Sequence, residues 1–301
     1  MTHTVTFPGL GLTFQLDPVP FSIFGWPLHW YGIIIAAGFL LAVTYCSRVS
    51  RRFGIREDDL ADMLVFAAPL GILGARLYYI IFYLDLFRDT DGALDFGKMV
   101  RIWDGGLAIY GGIIAAVLTL LVFCKVRKIP FLAFADLGSF GLLIGQAVGR
   151  WGNFVNVEAY GSETTLPWRM GIYEVVNGTT VYKEVHPTFL YESLWNLLGL
   201  VLLILLAKRA RKFDGQIFFN YIGWYGIGRF VIEGLRSDSL YLFHTGIRVS
   251  QLLALVSALI AEGLLLWNLK FRKHRPPLWV DQAAAQASPA SSDAPSDKKE
   301  D

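Results

Sequence analysis

Between positions 149 and 161 the chain reads Gly-Arg-Trp-Gly-Asn-Phe-Val-Asn-Val-Glu-Ala-Tyr-Gly, which sets Arg150, Asn153, Asn156 and Glu158 among glycines. A helix end can use one such polar side chain as a cap, but hardly all four. Further on, Arg229 and Glu233 are spaced to share one helix face, where they form either a local salt bridge or an anion-binding arginine held in place by a carboxylate. Two arginines, each a planar fork of N–H donors, suit bidentate binding of phosphate oxygens and stabilisation of charge on a departing phosphate. Asparagine and tyrosine can orient hydroxyl or ester oxygens, and a histidine or tyrosine can accept a proton from a nucleophile. The five histidines, His3, His29, His186, His244 and His274, show no close spacing with cysteines or carboxylates, so no metal site is expected. Neither a glycine-flanked serine elbow nor a nucleotide-phosphate loop stands out, and no cofactor is expected.

The elements that position these groups are those of a membrane protein. Of 301 residues, 54% are hydrophobic and only 17% charged, with 15% aromatics and 30 glycines, and the mean hydropathy is +0.46. That mix is improbable for a water-facing surface and suits lipid-embedded helices. A formal charge of +2 does not suggest nucleic-acid binding. Seven apolar runs have the length that crosses ~30 Å of hydrocarbon; they cover about 30–46, 60–83, 106–124, 131–148, 188–207, 216–233 and 249–269. Basic residues cluster after the first (Arg48, Arg51, Arg52, Arg56), third (Lys125, Arg127, Lys128), fifth (Lys208, Arg209, Arg211, Lys212) and seventh (Lys270, Arg272, Lys273, Arg275), whereas residues 1–29 carry no Lys or Arg. Positive loops stay in the cytoplasm, so the expected topology is N-terminus outside and C-terminus inside. Nothing at the N-terminus resembles a cleaved signal peptide, and no structural disulfide is expected between Cys46 and Cys124.

The expected fold is therefore an all-α integral membrane protein with seven transmembrane helices. Residues 1–275 form the transmembrane domain, with 149–187 inserted as a small extracytoplasmic head. Met170–Val176 and Thr179–Val185 are β-prone runs flanking Asn177–Gly178, a dipeptide that fits a tight hairpin turn. Residues 276–301 lack apolar periodicity and are expected to form a disordered cytoplasmic tail.

This topology brings expensive polar groups to one level. Arg76 in span two, the segment from Arg150 to Glu158, His186 and Glu192 opening span five, and Arg229 and Glu233 closing span six all fall near the outer boundary, as do Tyr31 and Tyr110. Arg76 either serves this site or contacts backbone carbonyls at a helix end. Trp26, Trp30 and Tyr31 read as an interfacial belt, with Tyr31 also a site candidate. Gly105–Gly106 and Gly111–Gly112 allow either close helix packing or approach of a lipid headgroup to the backbone. The chemistry that fits is a transferase or hydrolase acting on a phospholipid at the outer leaflet. A lipid or anion transporter is the alternative, although a conduit should carry polar stations through the whole bilayer.

The sequence resembles the bacterial prolipoprotein diacylglyceryl transferases over about residues 20–275. Gly149 to Gly161 matches that family's signature, G-R-x-G-N-F-x-N-x-E-x-x-G, at every fixed position. Supporting matches are His29-Trp30-Tyr31-Gly32, the paired glycines of span three, His186-Pro187-Thr188-Phe189-Leu190-Tyr191-Glu192, and Tyr225 through Glu233. The resemblance implies a multi-pass enzyme of the bacterial cytoplasmic (inner) membrane with its active site toward the outer leaflet. It implies transfer of the diacylglyceryl group of phosphatidylglycerol to the lipobox cysteine thiol of a prolipoprotein signal peptide, forming a thioether and releasing glycerol phosphate. Arg150 and Arg229 would hold the phosphate, and Tyr31, Asn153, Asn156 and Glu158 would shape the headgroup site, with Gly161, Glu233 and Arg76 completing the binding set. Many members carry a histidine, assigned as base, where this chain has Tyr110. Either Tyr110 substitutes, or His186 takes the proton, or the role is not essential; a tyrosine, ordinarily titrating near ~10, is a poor base unless arginines lower it.

Overall fold

In hydrocarbon every backbone N–H and C=O must find a partner within the chain, and the apolar runs accordingly fold as helices. A computed structural model describes residues 2–23, 25–89, 91–176, 178–237, 241 and 246–287. The strands are β1 (His3–Phe7), β2 (Leu12–Leu16), β3 (Phe21–Ile23), β4 (Trp26–Leu28), β5 (Met170–Val176) and β6 (Thr179–Val185). The helices are α1 (Trp30–Val49), α2 (Glu57–Phe82), α3 (Phe96–Val100), α4 (Ile109–Arg127), α5 (Phe131–Asn156), α6 (Thr188–Arg209), α7 (Gln216–Glu233), α8 (Val249–Leu266) and α9 (Trp279–Ala287).

Among the described residues six helical stretches are long and apolar enough to cross a membrane: Trp30–Phe53, Glu57–Phe82, Ile109–Arg127, Phe131–Asn156, Thr188–Arg209 and Val249–Phe271. The sixth expected span, 216–233, is a helix, α7, but it falls outside that set. Gln216, Asn220, Arg229 and Glu233 dilute its apolar character, and half of its surface is turned into protein: Ile217, Phe219, Tyr221, Gly223, Gly226 and Gly228 are all buried. A helix that meets protein rather than lipid need not be apolar all round.

The chain divides into two compact units, Met1–Val49 with Phe134–Arg275 and Ser50–Ala133 with Pro276–Asp301. The first holds a four-stranded sheet in the order β2-β1-β5-β6. β5 and β6 pair antiparallel from Met170↔Val185 to Val176↔Thr179, and β1 joins β5 at Thr6↔Gly171. Asn177, in the expected turn, lies outside the described residues. Val5, Phe7, Met170, Ile172 and Val185 form the sheet's apolar face and pack with Phe189 and Phe154. The Phe154 ring stacks on Phe189 at 4.6 Å, so the sheet is seated on the end of α5 and the start of α6.

Below the sheet, α6 and α7 are clasped by two indoles. Trp195 and Trp224 stack at 4.2 Å and 13°, and each Nε1 donates to the other's carbonyl at 2.9 Å. Each ring also lies on a glycine of the opposite helix, Trp195 on Gly228 and Trp224 on Gly199, where a Cβ would have no room. At its other end α7 begins at Gly215 without a cap from its own side chain. Asp136 of α5 supplies one from afar: fully buried, it accepts from Gly215 N at 2.9 Å and Phe218 N at 2.8 Å. Arg211 stands 3.4 Å from Asp136 and 2.5 Å from Asp214.

In the second unit α2 begins with Glu57, Asp58 and Asp59, which suit the positive end of a helix dipole. It crosses α4 at Gly74 and Gly111, where a Cβ on either would collide with the other's carbonyl. Close packing is thus the role of Gly111. Within the segment expected to be a disordered tail, Trp279–Ala287 instead forms α9, and Trp279 Nε1 donates to Gly54 O at 3.0 Å. Gly54 has a φ of +70° and a Cβ there would strike Val280, so this anchor was hidden in a single glycine and tryptophan. Residues 288–301 lie outside the described residues, as does His244. Cys46 and Cys124 are buried and unbridged.

Candidate active site

The first unit gathers charge around one carboxylate. Glu192, in the second turn of α6, is 3% exposed. Its Oε1 accepts from Arg150 of α5 at 2.5 Å and its Oε2 from Arg229 of α7 at 3.2 Å. Arg229 also pairs with Glu233 at 2.6 Å, so the local salt bridge expected from the i, i+4 spacing exists, but as part of a larger network. Arg248 donates to the Glu233 carbonyl, and Arg236 stands 3.9 Å from its carboxylate. Tyr225, one turn before Arg229, lies within electrostatic reach of Glu192, Arg229 and Arg150. Each guanidinium has five N–H donors, and the pairs named leave part of both forks for a ligand.

The signature segment extends this cluster outward. Arg150 donates to Asn153 Oδ1 at 3.2 Å, Asn153 Nδ2 to Glu158 Oε1 at 2.8 Å, and Asn156 Nδ2 to the same oxygen at 3.5 Å. Beside Glu158 opens a cavity of about 740 Å³ whose wall includes Gly161, Ser162, Glu163, Lys183 and Ser237. The backbone here is held tightly: Val157 and Ala159 take φ of +52° and +57°, costly for residues with a Cβ. Glu158 N bonds to Asn153 O at 3.0 Å, and Thr188 Oγ1 donates to Ala159 O at 2.5 Å.

The glycines of the signature serve close approaches. A Cβ on Gly152 would overlap the Tyr31 ring, which places that candidate directly against the segment. A Cβ on Gly161 would meet His186, Leu235 O and Thr188, so two stretches of chain, 186–188 and Leu235, converge on its bare backbone. Gly161 N donates to His186 O and His186 N to Ser162 O, both at 3.0 Å. The His186 imidazole faces Tyr191 OH at 3.2 Å, and that hydroxyl accepts from Trp168 at 2.8 Å. Burial lowers the His186 pKa below its usual range, so the ring is neutral at pH 7 and able to accept a proton.

The second unit holds Arg76 and Tyr110. Arg76 is 6% exposed and spends its whole fork on carbonyls. Nε donates to Met99 at 2.9 Å, Nη1 to Gly105 at 2.6 Å and Gly106 at 2.9 Å, and Nη2 to Lys98 at 2.6 Å and Arg101 at 3.0 Å. Gly105 and Gly106, at φ of +87° and +75°, turn these carbonyls inward. Of the two roles open to Arg76, the geometry shows contact with backbone carbonyls. Tyr110 stands in the first turn of α4 and is 39% exposed.

Glu192, placed by the sequence among the polar groups at the outer boundary but given no role there, carries a readable signal. It is the only acidic residue of α6, and a lone carboxylate inside an apolar helix needs a cationic partner.

Helices long and apolar enough to cross a membrane, joined by a buried cluster of arginines and carboxylates, define a multi-pass membrane protein whose cluster has the chemistry that suits an anionic group. A family model described as prolipoprotein diacylglyceryl transferase matches residues 18–267, and the chain belongs to that family. Similar proteins named phosphatidylglycerol–prolipoprotein diacylglyceryl transferase occur in Lactiplantibacillus plantarum, 41% identical over 87% of this chain and 91% of the relative. The Finegoldia magna protein is 45% identical over 86% of this chain and 97% of its own length. That of Enterococcus faecalis is 42% identical over 85% and 94%.

Proposed function

We propose that the protein transfers the diacylglyceryl group of phosphatidylglycerol to the lipobox cysteine thiol of a prolipoprotein signal peptide, the first step of lipoprotein maturation. The observation that carries this reading is the sharing of buried Glu192 by Arg150 and Arg229, in a chain of this family. Sulfur attacks the glycerol carbon that bears the phosphate ester; the C–S bond forms, the C–O bond breaks, and glycerol phosphate leaves. Negative charge accumulates on the phosphate as that bond breaks, so a pre-positioned pair of guanidinium forks is the effective lever. Glu192 fixes the two forks across three helices before the lipid arrives, and Asn153, Asn156, Glu158 and Tyr31 shape the surroundings of the headgroup. The thiol proton passes to His186 or Tyr110; full activity after each is replaced separately would remove both from that role.

The basic loops support seven spans with α7 as the sixth, the N-terminus outside, and the sheet as an extracytoplasmic head in the bacterial inner membrane. The site then faces the outer leaflet, where phosphatidylglycerol and an emerging signal peptide can both reach it.

The test is mass spectrometry of a lipobox peptide incubated with purified protein and phosphatidylglycerol. A diacylglyceryl adduct on cysteine, absent with Arg150→Ala, is expected. Lipid movement in vesicles without an adduct would favour a transporter instead.

A further inference from the structure

The three helices that carry the arginine cluster carry a second polar layer beneath it. α6 runs opposite to α7, because Glu192 meets Arg229 while Trp195 meets Gly228 and Gly199 meets Trp224. It meets α5 at the same level, where Ser193 Oγ donates to Ala147 O at 2.8 Å. Gln146 lies one turn before Arg150 on α5, Asn196 one turn after Glu192 on α6, and Tyr225 one turn before Arg229 on α7. A helical turn advances ~5.4 Å, so the three step down from the arginines together.

Two of these side chains carry buried polar atoms that nothing in the protein answers. Asn196 is fully buried, and neither Oδ1 nor Nδ2 has a hydrogen-bond partner in the protein. Gln146 Nε2 donates to Tyr221 OH at 2.8 Å, while its Oε1 has none. Exchanging the amide's oxygen and nitrogen changes which atom is left over, not that one is. Among the described residues, Asn196 is the side chain with both polar atoms in this state. A buried amide without a partner is strongly disfavoured, and a leucine of similar size would fill the same space without penalty. None of Gln146, Asn196, Tyr221 and Tyr225 is a carboxylate, so this set of donors and acceptors does not suit a cation. Neutral amides beside a tyrosine hydroxyl suit water, which takes two to four such partners.

We propose that Gln146 and Asn196 form a buried hydration site that holds ordered water as a polar floor beneath the Arg150–Glu192–Arg229 cluster. Water there accepts from Asn196 Nδ2 and donates to Asn196 Oδ1 and Gln146 Oε1, and it holds the facing turns of α5 and α6 in register. Gln146 and Asn196 are positioning residues: they act on the phosphate site through the helix turns that bear Arg150 and Glu192. The effect on turnover rests on the transfer reaction proposed above, whereas the hydration does not.

The test uses the full chain in detergent with Asn196→Leu and Asn196→Ser. Hydroxyl-radical footprinting reads the hydration without reference to activity. Tyr221, 7% exposed, should be oxidised faster than Phe219 of the same helix, 9% exposed, and Asn196→Leu should bring it down to the Phe219 rate. Asn196→Leu should lower Tm by about 2–4 °C, while Asn196→Ser, which keeps a hydroxyl and leaves room for one more water, should not. An unchanged or raised Tm for Asn196→Leu, or slow Tyr221 oxidation in the native protein, overturns the site. In the transfer assay Asn196→Leu should lower kcat about 10- to 100-fold with KM unchanged, and Asn196→Ser should recover it. A native kcat in Asn196→Leu overturns the positioning role. Lack of transfer by the native protein, with fast Tyr221 oxidation, defeats the reaction and leaves the hydration standing. If Asn196→Leu does not fold, footprinting of the native protein and of Gln146→Leu decides.

Discussion

Arg76 and the Arg150–Arg229 pair are cations largely withdrawn from solvent near the ends of apolar helices, but they are held by opposite kinds of partner. Arg76 meets five neutral carbonyls and no carboxylate, so every N–H is committed and its charge is shared among backbone dipoles. Arg150 and Arg229 meet carboxylates, chiefly the one they share, and keep donors in hand. The first arrangement fixes a loop. The second fixes two forks in space while leaving them able to bind. An arginine deep in a membrane helix is therefore not a ligand site by virtue of its charge; what decides is whether its donors are already spent.

The contrast is broken or upheld most sharply by deleting each cation. Arg150→Ala or Arg229→Ala should cut kcat by about 10²–10³-fold, as for loss of a donor to a developing anion, with Tm little changed; calorimetry beside the adduct assay reads both. Arg76→Ala should do the reverse, lowering stability by about 3 kcal/mol through stranded carbonyls. Lysine should not rescue it, because three donors on a flexible stem do not match five fixed acceptors. If Arg76→Lys is as stable as the native protein, the cradle does not hold the loop.

Glu192→Gln keeps shape and removes charge. It should lower kcat by roughly tenfold, since misplacing a clamp by a fraction of an ångström has effects of this order; native kinetics would show that the two forks need no shared anion. Asp136→Ala strips the cap from α7, the helix that bears Arg229. It should lower stability by about 1–2 kcal/mol, measurable as a Tm shift that Asp136→Asn partly restores.

The smallest effect is one of pH. Burial lowers the folded-state pKa of His186, so on acidification the unfolded chain takes up the proton first. Stability is therefore flat above about pH 6.5 and falls as pH drops below that unfolded value. Replacing His186 with Gln should remove this component from a plot of Tm against pH, and an unaltered plot would show that the ring's burial is not felt.

Much of the site was legible because its cues are local. Arg150, Asn153, Asn156 and Glu158 lie on the last two turns of α5 and its exit, and the Arg229–Glu233 spacing needs only helix geometry. Met170–Val176 and Thr179–Val185 stood out because β-prone residue types and an Asn-Gly dipeptide act at short range. The rest depends on pairings that no local pattern reports. Glu192 acquires its role from two helices at once, and β1 finds β5 across more than half of the chain. Asp136 caps a helix 79 residues away, and α9 was obscured because its alanine-rich composition resembles that of the polar tail after it. Arg76 could be given either of two roles from its position, and only the glycine-turned carbonyls decide between them.

The indole pair that clasps α6 to α7 has an optical consequence. Two indole rings with centroids 4.2 Å apart and planes inclined by 13° couple electronically and contribute jointly to the ultraviolet circular dichroism of the native protein. That signal disappears when the helices slip by a single turn. Since these helices carry Glu192 and Arg229, the spectrum is a label-free gauge of whether the two charges still face one another.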